Sequence, residues 1–374
     1  MSEMNVKFYR YKITTLSPIH VGTGEEFLPT NSVISDDCGS QKDMICPECG
    51  RKIEDNYCST CDIEYTEKES TSGEAHLHTF TSQELLSSLE VNQKTLFYNL
   101  CKQGDWSKIR DFFVNNADKI AKKSHIKATV SQEVYSDYKN MGKDAMFGIE
   151  KQFTDLLTQN PIIPGSSLKG SIRTALLNAK AKFRKCDNDK KLAQELLGYE
   201  KINEDPFKYF KISDAFSSAP ITTRIIKQIN NSRSNGYTLQ PQGYAEIIPA
   251  NSVFEGTICF NNAKDNNLRF AELFSACKEF YGKELAYEES YASEVVGDAF
   301  YKKLKNLSEN RYLIRVGKHS GAECVTINGY RKIKIRKRGG YETKDHATTF
   351  WLSKDNNQEI LPFGWAVMEI SEAK

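Results

Sequence analysis

Hydrophobic positions change period along this chain, and the changes outline its elements. Residues 5–16 (Asn-Val-Lys-Phe-Tyr-Arg-Tyr-Lys-Ile-Thr-Thr-Leu) mix β-branched and aromatic side chains in partial alternation, which predicts a first strand. A glycine-rich loop, Ser17-Pro-Ile-His-Val-Gly-Thr-Gly24, follows, then a second short strand over 31–35. A strand is expected again over 76–80. Thr81-Ser-Gln-Glu84 then has the spacing of a capping box, in which the Thr hydroxyl and the Glu carboxylate each satisfy an orphan amide. Leu96, Leu100, Ile109, Phe112 and Phe113 mark a helical stretch over 93–122, whereas 124–158 shows no clear period.

The period is plainest after Pro164-Gly165. Leu168, Ile172, Ala175, Leu176 and Ala179 recur at helical spacing, an apolar face. Lys169, Arg173 and Lys180 form a basic stripe beside it, and Ser166 or Ser167 is placed to cap the first amides. A second helix is expected over 189–198, and strands over 207–216, 221–229 and 237–260, with turns at Pro241-Gln-Gly243 and Pro249-Ala-Asn251. A helical run over 268–307 and strands over 311–316, 348–352 and 365–370 complete the pattern. Strands and helices appear in both halves, which predicts an α+β architecture of two related sheets.

Composition narrows the class. With 39% hydrophobic and 11% aromatic residues the 374-residue chain can build real cores. Its net charge of +2 is nearly neutral, so a polyanionic partner must be argued from local clusters. No run approaches the roughly 18 apolar residues of a membrane span, and the N-terminus has no apolar signal segment, so a soluble cytoplasmic protein without a membrane partner is expected.

Six of the ten cysteines are scattered. The other four form two knuckles, Cys46-Pro-Glu-Cys49 and Cys58-Ser-Thr-Cys61. Each pair can bring two thiolates to one ion, so the set predicts a closed, structural zinc site with no open position for chemistry. Eight acidic residues against four basic ones between Cys38 and Ser70 make the surrounding surface repel phosphate. A structural pin or a protein contact suits that module better than an RNA-binding finger.

Candidate chemistry concentrates elsewhere. The start of the helix after Pro164, with Ser166, Ser167, Lys169 and Arg173, unites free amides, a positive dipole end and cations, the elements of a phosphate site. Lys169 precedes Gly170, so the order is not that of a nucleotide-binding P-loop, and the expected phosphate is a polymer backbone. A second glycine-rich loop, Arg315-Val-Gly-Lys-His-Ser-Gly-Ala-Glu323, contributes Lys318 and His319. Arg331-Lys-Ile-Lys-Ile-Arg-Lys-Arg338 has six basic residues in eight, and its alternation turns Lys332, Lys334 and Arg336 to one side with Arg331 nearby. Glycines including Gly22, Gly24, Gly317, Gly321, Gly339 and Gly340 allow a ligand close to the backbone. An RNA binder using His20, Gly22, Gly24 and these cations is one reading. A ribonuclease using His20/His319 as acid and base, or Asp36/Asp37 on magnesium, is another, and a zinc-stabilised protein scaffold a third.

Taken in order, Leu16-Ser-Pro-Ile-His-Val-Gly-Thr-Gly24, Ile163-Pro-Gly-Ser-Ser-Leu-Lys-Gly-Ser-Ile-Arg-Thr-Ala175, Lys211-Ile-Ser-Asp-Ala215, Arg315-Val-Gly-Lys-His-Ser-Gly-Ala-Glu323 and Leu361-Pro-Phe-Gly-Trp365 are similar to the motifs of the RAMP superfamily of CRISPR proteins. The set most resembles the family of the fifth subunit of type III-A Csm effector complexes; the four-cysteine module departs from that family's pattern. The resemblance implies a ferredoxin-like core. An N-terminal part over 1–37 and 74–160 would carry a helical insertion, the zinc module would span 38–73, and a C-terminal part over 161–374 would carry a helical insertion at 268–307. It further implies a non-catalytic subunit that binds crRNA, assembles with backbone RAMP subunits, caps their filament near the crRNA 3′ end, and supports crRNA maturation and antiviral defence.

Overall fold

In the computed structural model the described residues are 6–36, 44–45, 52–53, 57–58, 63–64, 74–140, 147–182, 191–233, 240–263, 266–308, 310–355 and 360–373. The chain divides into two compact units, Glu26–Ile149 and Met1–Glu25 with Glu150–Lys374. The N-terminal segment thus folds with the C-terminal residues, not with the stretch up to 160 that was expected to accompany it. The reason is hydrogen bonding: β1 (Val6–Thr15) pairs along its length with two strands from beyond residue 250. A strand that the sequence pattern did not mark, β2 (Gly22–Phe27), follows the first loop.

The unit Glu26–Ile149 opens with β3 (Ser32–Ser35). The two-residue strands β4 (Met44–Ile45), β5 (Lys52–Ile53), β6 (Tyr57–Cys58) and β7 (Ile63–Glu64) follow. Next come β8 (Ala75–Thr79), α1 (Ser82–Ser88), α2 (Val91–Gln103), α3 (Trp106–Asn115), α4 (Ala117–Ala121), β9 (His125–Val130) and α5 (Gln132–Lys139). Strands β3, β8 and β9 form an antiparallel ladder. The capping box is present: the Glu84 amide donates to Thr81 Oγ1 and the Thr81 amide to Glu84 Oε2. The helical stretch over 93–122 is broken into three. Gly104 ends α2 with φ 67°, and the Asp105 carboxylate caps α3. The break lets Leu100, Ile109, Phe112 and Phe113 share one core with Val33, while Leu96 stays half-exposed.

The other unit continues with β10 (Ile149–Gln152), α6 (Gly165–Ala181), α7 (Leu192–Leu197), β11 (Phe210–Ile212), β12 (Thr223–Ser232), β13 (Gln240–Ile247), β14 (Val253–Asn261), α8 (Phe270–Val296), α9 (Asp298–Lys305) and β15 (Arg311–Arg315). It closes with β16 (Ile333–Lys337), β17 (Gly340–Lys344), β18 (Thr349–Lys354), β19 (Ile360–Pro362) and β20 (Trp365–Glu372). One sheet has the order β11-β14-β1-β20-β15. Leu168, Ile172, Ala175 and Leu176 of α6 pack with Leu273, Phe274, Cys277 and Tyr281 of α8 and with Tyr11 and Ile13 of β1 in one core. Each large apolar side chain buried there contributes about 1.5–3 kcal/mol. The segment 268–307, expected as an insertion, therefore supplies α8 to this core. In the second sheet β12 pairs with β13 and β18, and β18 with β19. The architecture is α+β, with two larger sheets and the separate β16-β17 pair among the described strands of this unit.

Candidate nucleic-acid interface

Helix α6 begins as its apolar period predicts, but its cap is not the expected one. Pro164 is the N-cap residue, and neither serine caps the helix. The Gly165 amide donates to Asp214 Oδ1 at 2.7 Å, and the Ser167 amide to the Pro164 carbonyl at 3.0 Å. An internal carboxylate thus occupies the positive end of α6, where the sequence suggested amides open to phosphate. Asp214 lies in the Lys211-Ile-Ser-Asp-Ala215 segment, so the short acid after a strand was the signal for it.

The basic stripe divides by partner. Arg173 donates to Asp205 and to the Tyr199 hydroxyl, and its guanidinium sits 4.8 Å over the Phe207 ring. Lys180 pairs with Glu272 at 3.1 Å. Lys169 has no ion pair among the described residues. Partial burial lowers its pKa; the nearby Asp205 raises it, while Arg173 and Lys211 add further like-charge repulsion. A half-buried ammonium crowded by two cations is stabilised by any added anion. Lys169 is the cation of this stripe best placed to take a phosphate.

The two glycine-rich loops meet at one end of the sheets. Lys318 donates its amide to the His20 carbonyl at 2.8 Å, the Gly364 amide donates to the Pro18 carbonyl, and the Leu16 amide to the Trp365 carbonyl. The motifs near residues 20, 317 and 364 are thus laced together by backbone bonds. Helix α6 joins them through Ser171 Oγ, which donates to the Arg315 carbonyl at 2.8 Å. At Gly317, φ is 90° and a Cβ would come within 2.6 Å of the His20 carbonyl oxygen. This glycine serves loop-on-loop packing, not approach of a ligand. Gly22 and Gly24 stand exposed in β2.

His20 is fully buried. Its Nδ1 lies 2.7 Å from the Glu246 carbonyl and its Nε2 is 3.2 Å from Glu150 Oε2. Lys318 Nζ donates to Glu150 Oε1 at 2.6 Å. The His20 ring, with Lys318 and Gln228, holds the Glu150 carboxyl down at about 2 against partial burial. His319 adopts φ 65° and packs its ring 4.1 Å from that of Trp351. Burial, and then the neighbouring Lys318, push its pKa down to about 4. One histidine enclosed and the other stacked do not form an acid–base pair aimed at a ribose hydroxyl. Glu150 and Glu246, which organise this cluster, come from strands whose sequence carried no motif.

Further along, β16 and β17 make a two-stranded hairpin. Ile333 and Ile335 are half-buried, whereas Lys332, Lys334 and Arg336 are exposed, as the alternation predicts. Arg331 differs: its Nη2 donates to Glu284 at 2.6 Å and to the Glu323 carbonyl, so α8 holds it inward. Lys334 and Arg336 have no ion pair among the described residues, and exposed Tyr341 lies opposite Arg336.

In the unit Glu26–Ile149, Asp36 is exposed and hydrogen-bonded by Tyr135. Asp37 lies outside the described residues. So do Cys46, Cys49 and Cys61 and the side chain of Cys58, the whole proposed zinc set. No described helix is long and apolar enough to cross a membrane.

Two antiparallel sheets, helices α6 and α8 packed against one of them, and glycine loops laced at their ends define an α+β protein of ferredoxin-like type. The sequence profile described as RAMPs, the RAMP superfamily, matches residues 12–360, and the chain belongs to that superfamily. Its fold is similar to a chain in the cryo-EM structure of a Csm–crRNA–target RNA ternary complex from a type III-A CRISPR-Cas system. That match has a TM-score of 0.61 and 18% identity, and covers 96% of this chain and 100% of the other. It is also similar to T. onnurineus Csm5 in a crystal structure, with a TM-score of 0.52 and 17% identity, over 95% of this chain and 99% of that one. No curated protein sequence matches it.

Proposed function

We propose that this chain is a non-catalytic, crRNA-binding assembly subunit of a type III CRISPR effector complex. It would take its place beside backbone RAMP subunits near the crRNA 3′ end and support maturation of that end. Superfamily membership and end-to-end likeness of fold to a chain of a Csm–crRNA–target RNA complex support the class. The observation that carries RNA binding is the position of Lys169. It is a half-buried cation without an ion pair among the described residues, beside Lys211 and on the helix that is tied to the Arg315 loop. Lys318, Lys332, Lys334 and Arg336 would extend the contact along the backbone of a single strand, as phosphate neutralisation requires. The buried state of His20 and the stacking of His319 favour a binder over a ribonuclease. The four cysteines would hold a structural zinc, apart from the RNA.

Fluorescence anisotropy with a labelled single-stranded RNA over a salt series tests the reading. Lys169→Ala is expected to weaken binding and lower the slope of log K against log salt by about 0.7. Lys334→Ala with Arg336→Ala should lower it by roughly twice as much. Equal affinity and slope in all variants would sink the proposal.

A further inference from the structure

Strand β1 crosses the middle of the five-stranded sheet, and its side chains alternate between two faces. Tyr11, Ile13 and Thr15 are buried on the face that carries α6 and α8. Phe8, Arg10 and Lys12 point the other way and are exposed, Phe8 by 57%. The register builds rows on that outer face. Phe8 and Lys211 flank Cys259, Arg10 lies between Thr257 and Ser371, and Lys12 lies between Glu255 and Glu369. A groove of about 680 Å³ runs over the same face, lined by Arg10, Lys12, Glu255, Thr257, Arg311 and Ser371.

The charges on this face do not cancel. Arg311 is taken by Glu369, at 2.8 Å from Nε and 2.5 Å from Nη2. Arg10, Lys12 and Lys211 form no ion pair among the described residues, against one unpaired carboxylate, Glu255. An uncovered aromatic ring with a guanidinium two residues along the same strand, and an ammonium across it, is the equipment for stacking a base and pairing its phosphates. A protein interface of this size would be expected to show more apolar area and fewer lysines. Lys211 also stands at the sheet edge near Lys169, whose pKa its charge lowers, so positive potential continues from the helix onto the sheet.

We infer that the open face of the five-stranded sheet is a second surface for single-stranded RNA, on which a base stacks on Phe8 while Arg10 and Lys211 take the flanking phosphates. The inference borrows the class of ligand from the proposed function, but not its site.

The test uses the full chain and a fluorescein-labelled 20-mer of poly(U). Phe8→Ala should weaken binding about 5- to 100-fold with the salt slope unchanged. Arg10→Ala should lower the slope by about 0.7. Saturating RNA should slow alkylation of Cys259, which sits between Phe8 and Lys211, and leave exposed Cys101 unaffected. Wild-type affinity in Phe8→Ala, with Cys259 alkylated equally fast in bound and free protein, overturns the inference. A wild-type chain that binds no RNA overturns it as well. Protection of Cys259 only in a nuclease-treated assembly would assign the face to a protein neighbour and equally overturn it. Loss in Phe8→Ala with none in Lys169→Ala or the Lys334/Arg336 pair would keep this site and remove the loop-and-hairpin reading; the reverse result removes this site alone.

Discussion

The amide of Lys318 donates to the carbonyl of His20 at 2.8 Å, and the Lys318 ammonium reaches Glu150 beside the same imidazole. Two loops from opposite ends of the chain therefore share one hydrogen-bonded junction. The closeness of that junction is held by a residue without a side chain, Gly317.

Gly317→Ala is accordingly expected to destabilise the protein by about 2–4 kcal/mol, because it adds a clash with the His20 carbonyl to the strain of a positive φ. Gly24→Ala has positive φ but open space around it, so its cost should stay near 1–2 kcal/mol. Urea denaturation of both variants checks the contrast; equal midpoints would contradict the packing role.

Arg173 and Asp205 are joined at 2.7 and 3.0 Å in a partly buried setting. Arg173→Ala should lower stability by about 1–2 kcal/mol, and the double-mutant cycle with Asp205→Ala should give a coupling of roughly 1 kcal/mol. Lys169→Ala should change stability little and RNA affinity more. A larger stability loss at Lys169 than at Arg173 would reverse these assignments.

Asp214 holds the Gly165 amide at the start of α6. Asp214→Asn keeps an accepting oxygen while removing a negative charge at the start of the helix that carries Lys169, so RNA affinity should rise at low salt. Asp214→Ala, which loses the cap, should in addition cost about 1 kcal/mol of stability. Anisotropy and thermal melts separate the two effects.

His319 has a pKa near 4, below the ordinary value of 6.5. Between those values the unfolded chain binds more protons than the folded one, so the stabilisation from the neutral stacked ring is complete above about pH 6.5 and declines as pH falls toward 4. His319→Asn tolerates the left-handed backbone and carries no titrating ring. Wild type should therefore lose more Tm than this variant between pH 7 and pH 5, and parallel losses would refute the assignment.

The cysteine spacing predicts about one zinc per chain in protein purified without chelator, measured by atomic emission. Replacing Cys46 and Cys49 by serine should abolish it. Full zinc content in that double variant would remove the four-sulfur site.

Several features were legible without a structure. The 3.6-residue period gave the buried face of α6, the Thr81/Glu84 spacing gave a working capping box, and alternation gave the exposed cations of β16. Each depends on neighbours within one turn or one strand, whose geometry local sequence dictates. The ordered motifs likewise pointed to the superfamily that the profile supports over residues 12–360.

Which charges remain available was a different matter. Arg173 and Lys169 are alike in the sequence stripe, and so are Arg331 and Lys334. Asp205 and Glu284 neutralise the first of each pair and leave the second open. Asp214 fills the helix end, Glu246 and Glu150 flank the His20 ring, and β1 joins strands from the far end of the chain. Periodicity reports which side of an element faces inward. It carries no record of which distant carboxylate arrives there, because that partner is chosen only when the sheets and helices pack.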